Sequence, residues 1–312
     1  MRITKKIPYI AALRPRQWTK NLIVFAAPLF AFSINGQSFL SSLLAFILFC
    51  CTSSSFYLLN DIVDVEADRR HPVKCQRPIA AGLVSIPIAF VMAVTLLGTA
   101  LIGGWLQSPA LGRTLIGYGM LQTAYNLKLK HLPILDMVAI ATGFILRAYA
   151  GFAATGIVIS YWFLLCTAML ALFLAVEKRK AELRLLMVSP GKTRAVLKNY
   201  SLPLLIRMES TVTTGAVMSY ALWSSGPQVQ GAKTPYMMLT LPFVVYGIFR
   251  YQLLSEPREV SDEHQHHSDI HRVKTERPEE ILLTDLPILI TVIGWIVTAF
   301  IILYLKSQGV ID

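Results

Sequence analysis

Charged residues are scarce in this sequence of 312 residues: only 15% are Asp, Glu, Lys or Arg, whereas 54% are hydrophobic. A soluble domain of this length carries more charge, so the composition excludes an ordinary soluble globular protein. The mean hydropathy is +0.55. Apolar runs recur near the roughly 20 residues that a helix needs to cross a bilayer. The sequence therefore predicts an all-α integral membrane protein.

Cysteine is also scarce, and its spacing excludes two classes of protein. Cys50, Cys51, Cys75 and Cys166 have no metal-type pairing pattern and form no disulfide framework, so we expect free thiols in a reducing or lipid setting. The first residues, MRITKKIPYIAALRPRQWTKN, lack a continuous apolar stretch with a small-residue cleavage site. No cleavable signal peptide is expected.

Acids are fewer than bases, 18 against 29, which gives a net charge of +11. Such a charge suggests nucleic acid as a partner. The bases, however, lie in loops between apolar segments, where membrane topology explains them. A nucleic-acid-binding function is therefore excluded.

The apolar segments predict about nine transmembrane helices bundled around a cytoplasm-facing polar cavity. The predicted spans are 21–36, 39–59, 86–106, 110–127, 134–155, 160–177, 201–223, 235–253 and 286–306. Most Lys and Arg fall at the N-terminus and after even-numbered spans, and the opposite side holds only Arg113, Lys233 and Lys306. By the positive-inside rule the N-terminus is cytoplasmic and the C-terminus is outside.

This topology predicts a single transmembrane domain over 1–312 in a cell (inner) membrane. Its cytoplasmic motif loops are about 60–85, 128–133, 178–200 and 254–285. The last of these loops holds a histidine cluster from His264 to His271, which suggests metal binding or an exposed loop with adventitious affinity. The oligomeric state is left open, with a homo-oligomer allowed.

The stretch Tyr57–Ile79, YLLNDIVDVEADRRHPVKCQRPI, packs four acids and four bases behind an apolar span. Helical spacing places Asp61, Asp64 and Asp68 on one face with Tyr57, and Asn60 lies at its edge. Acids at the end of a span often form only a solvated helix cap. Aligned carboxylates repel one another, and a divalent metal that carries a phosphorylated substrate would cancel that repulsion. The spacing therefore predicts a metal–phosphate site.

Mg²⁺ prefers hard oxygen ligands and binds through one or two carboxylates together with substrate phosphates. Asn60 and Asp64, one turn apart, are expected to supply those ligands, and Asp61 and Asp68 to hold bound waters or a second ion. The predicted metal set is Asn60, Asp64 and Asp68, and the predicted catalytic residues are Asp61 and Asp64.

Three neighbours of the acids complete the predicted substrate site. Tyr57, one turn before Asp61, is placed to hydrogen-bond the substrate. Lys74 and Arg77 are expected to meet phosphate oxygens, as a point charge and as a planar fork respectively.

Long motifs in this chain resemble a known family. NDIVDVEAD matches the NDxxDxxxD motif of the UbiA-type intramembrane prenyltransferase superfamily, whose members have nine helices around a polar cavity. The segments LRPRQWTKNLIVFAAPLF, NDIVDVEADRRHPVKCQRPIAAG, YNLKLKHLPILDMVAIATGFILRAYAG and KRKAEL resemble its decaprenyl-phosphate phosphoribosyltransferase branch. The last third of the chain matches mainly in topology, plus RPEEILLTDLP.

One departure from the wider superfamily separates the alternatives. Aromatic prenyltransferases of the superfamily carry a second Asp-rich motif for a prenyl diphosphate. Here the loop after span six reads EKRKAELR. Its bases, Lys178 and Arg179 among them, are expected to hold a lipid phosphate without metal, although each alone fits an ordinary positive-inside charge.

Further bases are assigned partly by resemblance. The resemblance makes Lys20, in RPRQWTKN, a ligand of the substrate diphosphate. Arg147 lies inside a span, where a charge needs a partner, and the sequence leaves open an acid or a lipid phosphate. Asp136, eleven residues earlier on the same face, indicates that Arg147 points into the bundle. Lys130 and His131, with Lys128, are further candidates for the lipid phosphate.

The resemblance implies transfer of the 5-phosphoribosyl group from phosphoribosyl diphosphate (PRPP) to a decaprenyl-type polyprenyl phosphate, with Mg²⁺ as cofactor and diphosphate released. It also implies a role in arabinan precursors of a bacterial envelope. One alternative is a prenyltransferase that moves a prenyl group from its diphosphate to an acceptor. The other is a polar-lined transporter or lipid-binding membrane protein.

Overall fold

The computed structural model describes residues 8–30, 36–71, 73–188, 195–229, 231–256 and 284–311. Within these ranges the chain is helical and contains no strand, as the sequence predicts. The α-helices are α1 (Pro8–Ala12), α2 (Ala26–Phe30), α3 (Gly36–Val63), α4 (Val65–Arg69), α5 (Ile86–Gln107), α6 (Pro109–Leu127), α7 (Leu135–Thr155), α8 (Tyr161–Val188), α9 (Leu202–Ser224), α10 (Leu241–Ser255) and α11 (Leu286–Ser307). The 3-10 helices are Pro15–Phe25, Lys74–Gln76, Leu129–His131, Ala195–Asn199, Pro227–Val229 and Pro235–Thr240. The histidine cluster and most of the loop 254–285 lie outside the described residues.

Six segments of the described chain are long and apolar enough to cross a membrane. They are Gly36–Val63, Ile86–Gln107, Leu135–Thr155, Tyr161–Met187, Pro235–Ser255 and Leu286–Ser307. Helices α6 and α9 also lie where spans are expected, but each carries charge within its length, Arg113 in α6 and Arg207 and Glu209 in α9. The chain is therefore a multi-pass membrane protein, and the count of nine spans stays a prediction.

The predicted first span, 21–36, differs from the structure. Its described part is the 3-10 helix Pro15–Phe25 followed by the short helix α2. Pro15 starts this 3-10 helix, and Pro28 lies within α2, where proline has no backbone N–H to donate. The segment therefore lacks the continuous α-helix that hydropathy alone predicts here.

Two helices are longer than a bilayer requires. Helices α3 and α8 each have 28 residues. At about 1.5 Å per residue they reach about 42 Å, whereas the hydrocarbon core is about 30 Å thick. Each helix is therefore long enough to extend beyond the apolar layer. Asn60 and Asp61 lie in the last turn of α3, whereas Lys178 and Arg179 lie roughly three turns before the end of α8.

The described chain divides into two compact units. The first contains Met1–Pro28, Ser33–Leu127 and Leu146–Ile157. Its core packs residues such as Phe49, Leu115 and Tyr118. Helix α7 approaches the 3-10 helix Pro15–Phe25 closely at Gly151, where an added Cβ would lie 2.0 Å from the Val24 carbonyl oxygen. Only glycine permits this packing.

The second unit contains Leu29–Phe32, Lys128–Ile145 and Val158–Asp312. Helices α8 and α9 pack along each other, and one core contains Val176 of α8 and Leu205 of α9 together with Met137 of α7. Another core joins Trp223, Met237 and Ala299 from α9, the following 3-10 helix and α11. The backbone amides of these helices are bonded within each helix, as an apolar environment demands.

Candidate active site

The acidic residues of the first unit lie at the junction of α3 and α4. Helix α3 ends at Val63, and Asp64 occupies the N-cap position of α4 without a side-chain capping bond. The helical hydrogen bonds continue across the break, because the Asp64 amide donates to the Asn60 carbonyl at 2.9 Å and the Asp68 amide to the Asp64 carbonyl at 2.8 Å. The helical spacing expected for these residues is therefore kept, and Asp61 and Asp68 come together.

Two arginines neutralise these two carboxylates. Arg77 bridges them, with Nη1 3.0 Å from Asp61 Oδ1 and 2.5 Å from Asp68 Oδ2. Arg14 places Nη2 2.5 Å from the same Asp61 oxygen. The Asp61 side chain is only 2% exposed, whereas those of Arg14 and Arg77 are 28% and 27% exposed. The acids are thus buried beneath a more accessible layer of guanidinium groups.

Sequence reasoning placed Arg77 beside phosphate and missed Arg14. Arg14 follows α1 and adopts a left-handed backbone conformation, φ 55° and ψ 59°, before Pro15. That conformation costs a non-glycine residue roughly 1–2 kcal/mol. Its guanidinium carbon also lies 4.9 Å from the centre of the Tyr57 ring, in a cation–π contact. The available signal was the arginine–proline pair, which disfavours helix at Arg14 and forces a turn.

The structure also describes the remaining predicted residues of this unit. Asn60 donates through Nδ2 to Asn126 Oδ1 at 3.1 Å. This bond does not use the Asn60 side-chain oxygen. Asp64 is half-buried. Lys20 is half-buried in the 3-10 helix Pro15–Phe25, and Lys74 is exposed in the 3-10 helix Lys74–Gln76. The structure describes each of them within the first unit.

The donor set fits a hard divalent cation that is shared with a substrate. Within the described residues no group of three or more His, Cys, Asp or Glu side chains is arranged to enclose a metal ion. Mg²⁺ does not require such a cage, since one or two carboxylates plus substrate phosphates suffice. Asn60, Asp64 and Asp68 offer only oxygen donors of this kind. The fit therefore depends on a phosphate-bearing ligand.

Arg147 is buried inside the first unit, as a charge within a span should be. Its Nε donates to Asn21 Oδ1 at 2.7 Å, and its Nη2 donates to Tyr118 Oη at 2.6 Å. The Tyr118 ring also lies under the guanidinium, 4.8 Å from its carbon. Arg147 therefore ties α7 to α6 and to the 3-10 helix that follows Arg14.

The basic residues of α8 lie in the second unit, and two of them are held by acids. Arg179 is fully buried, with Nε 2.7 Å from Asp136 Oδ2 and Nη1 2.5 Å from Glu182 Oε2. Asp136, which the sequence placed on the face of Arg147, is thus the partner of Arg179. Lys178 is half-buried.

Lys180 is also buried, at 1% exposure, and it contacts three carboxylates. Its Nζ lies 3.0 Å from Glu177 Oε1 and 3.0 Å from Glu256 Oε1, and it bonds Glu209 Oε2 as well. Arg184 adds a bond of 2.6 Å to the other Glu256 oxygen. This cluster, called the Lys180 cluster below, joins α8, α9 and the end of α10.

Lys130 and His131 form a 3-10 helix before α7, and His131 is exposed. The turn that follows is strained, since Ile134 has a φ of 70°. Tyr200 holds this turn, because its hydroxyl accepts from the Ile134 amide at 2.6 Å and donates to Asp136 Oδ1 at 2.7 Å. Burial raises the pKa of Tyr200 to about 12, so the hydroxyl stays protonated and can donate.

Comparison with known proteins supplies a family. The family model described as "UbiA prenyltransferase family" matches residues 22–267. A decaprenyl-phosphate phosphoribosyltransferase of Corynebacterium glutamicum is 40% identical over 248 residues, which cover 75% of each chain. The protein of the same name from Mycobacterium tuberculosis is 35% identical over 93% of this chain and 92% of its own.

Solved structures share the fold at low sequence identity. A UbiA homologue from Archaeoglobus fulgidus, bound to DMAPP and Mg²⁺, superposes with a TM-score of 0.68 at 16% identity and covers 94% of this chain and 98% of its own. A digeranylgeranylglyceryl phosphate synthase gives a TM-score of 0.66 at 17% identity, with the same coverage. Because the family model spans most of the sequence and relatives above 30% identity align over most of their length, this chain belongs to the UbiA prenyltransferase family.

Proposed function

We propose that this chain is a membrane phosphoribosyltransferase that moves the 5-phosphoribosyl group from PRPP to a polyprenyl phosphate and releases diphosphate. The names of its relatives support this assignment. The observation that carries it is the pair Asp61 and Asp68 under Arg77 and Arg14, at the end of a helix that outreaches the bilayer. A cluster of acids and arginines at a membrane edge suits a soluble, metal-bound phosphate substrate.

The proposed PRPP site consists of first-unit residues. Asn60, Asp64 and Asp68 would hold Mg²⁺, which when bound withdraws charge from the leaving diphosphate. Asp61 orients Arg14 and Arg77 by accepting from both. The other proposed ligands of PRPP are Lys20, Tyr57, Lys74 and Arg77.

The reaction requires little proton transfer. An oxygen of the lipid phosphate is already anionic and attacks C1 of the ribose, so no general base is needed. The bond between C1 and the diphosphate oxygen breaks as the new C1–oxygen bond forms, and diphosphate leaves with the electron pair. Arg77 and Lys74 supply fixed positive charge where that negative charge develops, and holding the ring in place lowers the entropic barrier.

The lipid phosphate is assigned to the basic residues Lys130, His131, Arg147, Lys178 and Arg179. Of these, His131 is exposed and Lys178 half-buried. Arg179 is engaged by Asp136 and Glu182. We assign Arg179 an indirect part. It holds Asp136, which accepts from the Tyr200 hydroxyl, and that hydroxyl in turn holds the strained turn after His131.

The proposed location is a cell membrane, with the N-terminus on the cytoplasmic side. Asp61 and Asp68 with their partners Arg14 and Arg77, called the acidic cluster below, would lie on the same side. The excess of Lys and Arg in the N-terminal segment and in the even-numbered loops supports this orientation. PRPP, a cytoplasmic metabolite, would then reach the end of α3 without crossing the membrane. We also propose that 1–312 forms one catalytic domain.

The proposal is tested by incubating purified protein with Mg²⁺, polyprenyl phosphate and PRPP labelled in the ribose. Label should enter the lipid phase. Asp64→Ala should abolish transfer while the thermal unfolding temperature stays near that of the wild type, and Arg16→Gln, at an exposed position, serves as the matched control. Label that stays in the aqueous phase, together with consumption of a prenyl diphosphate in a parallel incubation with a prenyl acceptor, would show that the enzyme transfers prenyl groups.

A further inference from the structure

Arg14 is not among the proposed ligands of PRPP, yet it contacts Asp61 of the acidic cluster. Its Nη2 shares one oxygen of Asp61 with Arg77 Nη1, at 2.5 and 3.0 Å. Two carboxylates, Asp61 and Asp68, therefore face two guanidinium groups. The cluster is electrically balanced as it stands.

That balance limits how a metal can enter. A divalent cation added beside both arginines brings two positive charges, of which Asp64, the one proposed acidic ligand outside these ion pairs, offsets only one. A diphosphate that arrives with the metal brings several negative charges and offers oxygens to which a guanidinium binds bidentately. Charge balance is restored when Arg14 leaves Asp61 for the diphosphate, so that the charge of Asp61 faces the metal that Asn60, Asp64 and Asp68 would hold.

Arg14 is suited to make this exchange. Its side chain is more than a quarter exposed, whereas Asp61 is buried. The Tyr57 ring lies 4.9 Å from its guanidinium carbon, in a cation–π contact that does not depend on the carboxylate. The left-handed backbone before Pro15 fixes the point from which the side chain pivots.

We propose that Arg14 is a diphosphate-binding residue that serves as the counter-ion of Asp61 until a metal-bound diphosphate displaces it. Arg14 and the metal then compete for the acidic cluster in the absence of diphosphate, and cooperate in its presence. The identity of the ligand as the diphosphate of PRPP rests on the proposed function. The competition with metal does not.

The competition is tested by titrating the detergent-purified full chain with Mn²⁺ alone and following free Mn²⁺ by electron paramagnetic resonance. Arg14→Gln removes the competing cation, and we expect Mn²⁺ affinity to rise about tenfold, which corresponds to 1.4 kcal/mol. Arg16→Gln, two residues away and exposed, should leave the affinity unchanged. Equal affinities in Arg14→Gln and wild type would overturn the proposal.

The cooperation is tested by calorimetric titration of inorganic diphosphate in the presence of Mg²⁺. Arg14→Gln should weaken diphosphate binding about tenfold. Arg14→Lys keeps the charge but not the fork, so Mn²⁺ affinity should stay near the wild-type value while diphosphate binding weakens. Unchanged diphosphate affinity in both variants would overturn the exchange.

The two readouts also separate this inference from the proposed function. Thermal unfolding shows whether Arg14→Gln folds, and if it does not, Arg14→Lys carries the test. Suppose that Arg14→Gln binds Mn²⁺ more tightly and diphosphate more weakly, but the wild type transfers no ribosyl label. This result would contradict the proposed function and support the exchange.

Discussion

The acidic cluster of the first unit and the Lys180 cluster of the second are opposite arrangements of the same chemical groups. In the first, buried carboxylates lie beneath arginines that are 27–28% exposed. In the second, Lys180 at 1% exposure is enclosed by carboxylates, of which Glu256 is 50% exposed. Each cluster includes residues of a helix that is longer than a bilayer is thick, α3 in the first and α8 in the second.

The difference separates charges that can change partner from charges that cannot. A guanidinium that is about a quarter exposed can turn towards water or phosphate at little cost. A buried ammonium that leaves its carboxylates leaves uncompensated negative charge behind in a dry environment. We therefore expect substitutions in the first cluster to affect ligand binding and activity, and substitutions in the second to affect stability.

The largest expected effect is at Lys180. Lys180→Met removes the cation from beside Glu177 and Glu209 and leaves buried carboxylates unpaired, which should destabilise the fold by about 3–5 kcal/mol. Thermal unfolding in detergent measures this loss. Lys180→Met combined with Glu177→Gln should recover part of it, since one uncompensated charge is gone. If Lys180→Met alone is as stable as the wild type, the Lys180 cluster does not stabilise the fold as expected.

Arg77 should show the reverse pattern. Arg77→Gln removes the bridge between Asp61 and Asp68 but leaves Arg14 on Asp61, and its partly exposed site lets water solvate the acids. Ribosyl transfer should fall by about 10²-fold, as expected when a preorganised charge on a developing anion is lost. The unfolding temperature should change little. Arg69→Gln, whose exposed pair with Glu66 lies nearby, is the control and should retain activity.

The strained turn before α7 gives a smaller effect of opposite sign. Ile134 adopts a φ of 70° and its side chain is exposed. Ile134→Gly should stabilise the protein by about 1 kcal/mol, because glycine tolerates this backbone and little buried surface is lost. Thermal unfolding tests the change. Leu135→Gly, at the exposed start of α7, should instead destabilise the protein, and a loss in both variants would argue against strain at Ile134.

The smallest effect concerns pH. Burial acts to raise the pKa of Glu256, but hydrogen bonds and charge from Arg184 and Lys180 outweigh it and hold that pKa below its usual value. The stability that Glu256 contributes is therefore present above its unfolded pKa and is lost as pH falls through the lower folded pKa. The difference in unfolding temperature between wild type and Glu256→Gln should shrink on acidification below about pH 4.5. A constant difference would contradict this assignment.

Much of the fold followed from local properties of the sequence. Helices α3, α5, α7 and α11 lie within a few residues of the predicted spans, because hydropathy and length decide what can cross a bilayer. Helix α8 begins where the span 160–177 was predicted but continues to Val188. The segment after Pro15 was predicted less well, since hydropathy does not register the missing proline donors. The helical spacing from Asn60 to Asp68 was also correct, because four residues along a helix make about one turn.

The partners of the charges did not follow from local properties. Arg14 resembles any positive-inside residue until the first turns of the chain pack against Asp61, 47 positions later. In the sequence, Arg179 and Lys180 look like part of a phosphate-binding loop. In the structure, Asp136 pairs with Arg179, and Glu209 and Glu256 pair with Lys180.

The sequence by itself therefore determined the membrane class, the helix positions and the acidic motif with its family, because each depends on residue type and short-range spacing. Only the tertiary structure decided which arginines and lysines are buried in ion pairs and which remain accessible. The physical reason is that desolvation and pairing depend on which distant side chains share a dry environment, and packing alone sets that.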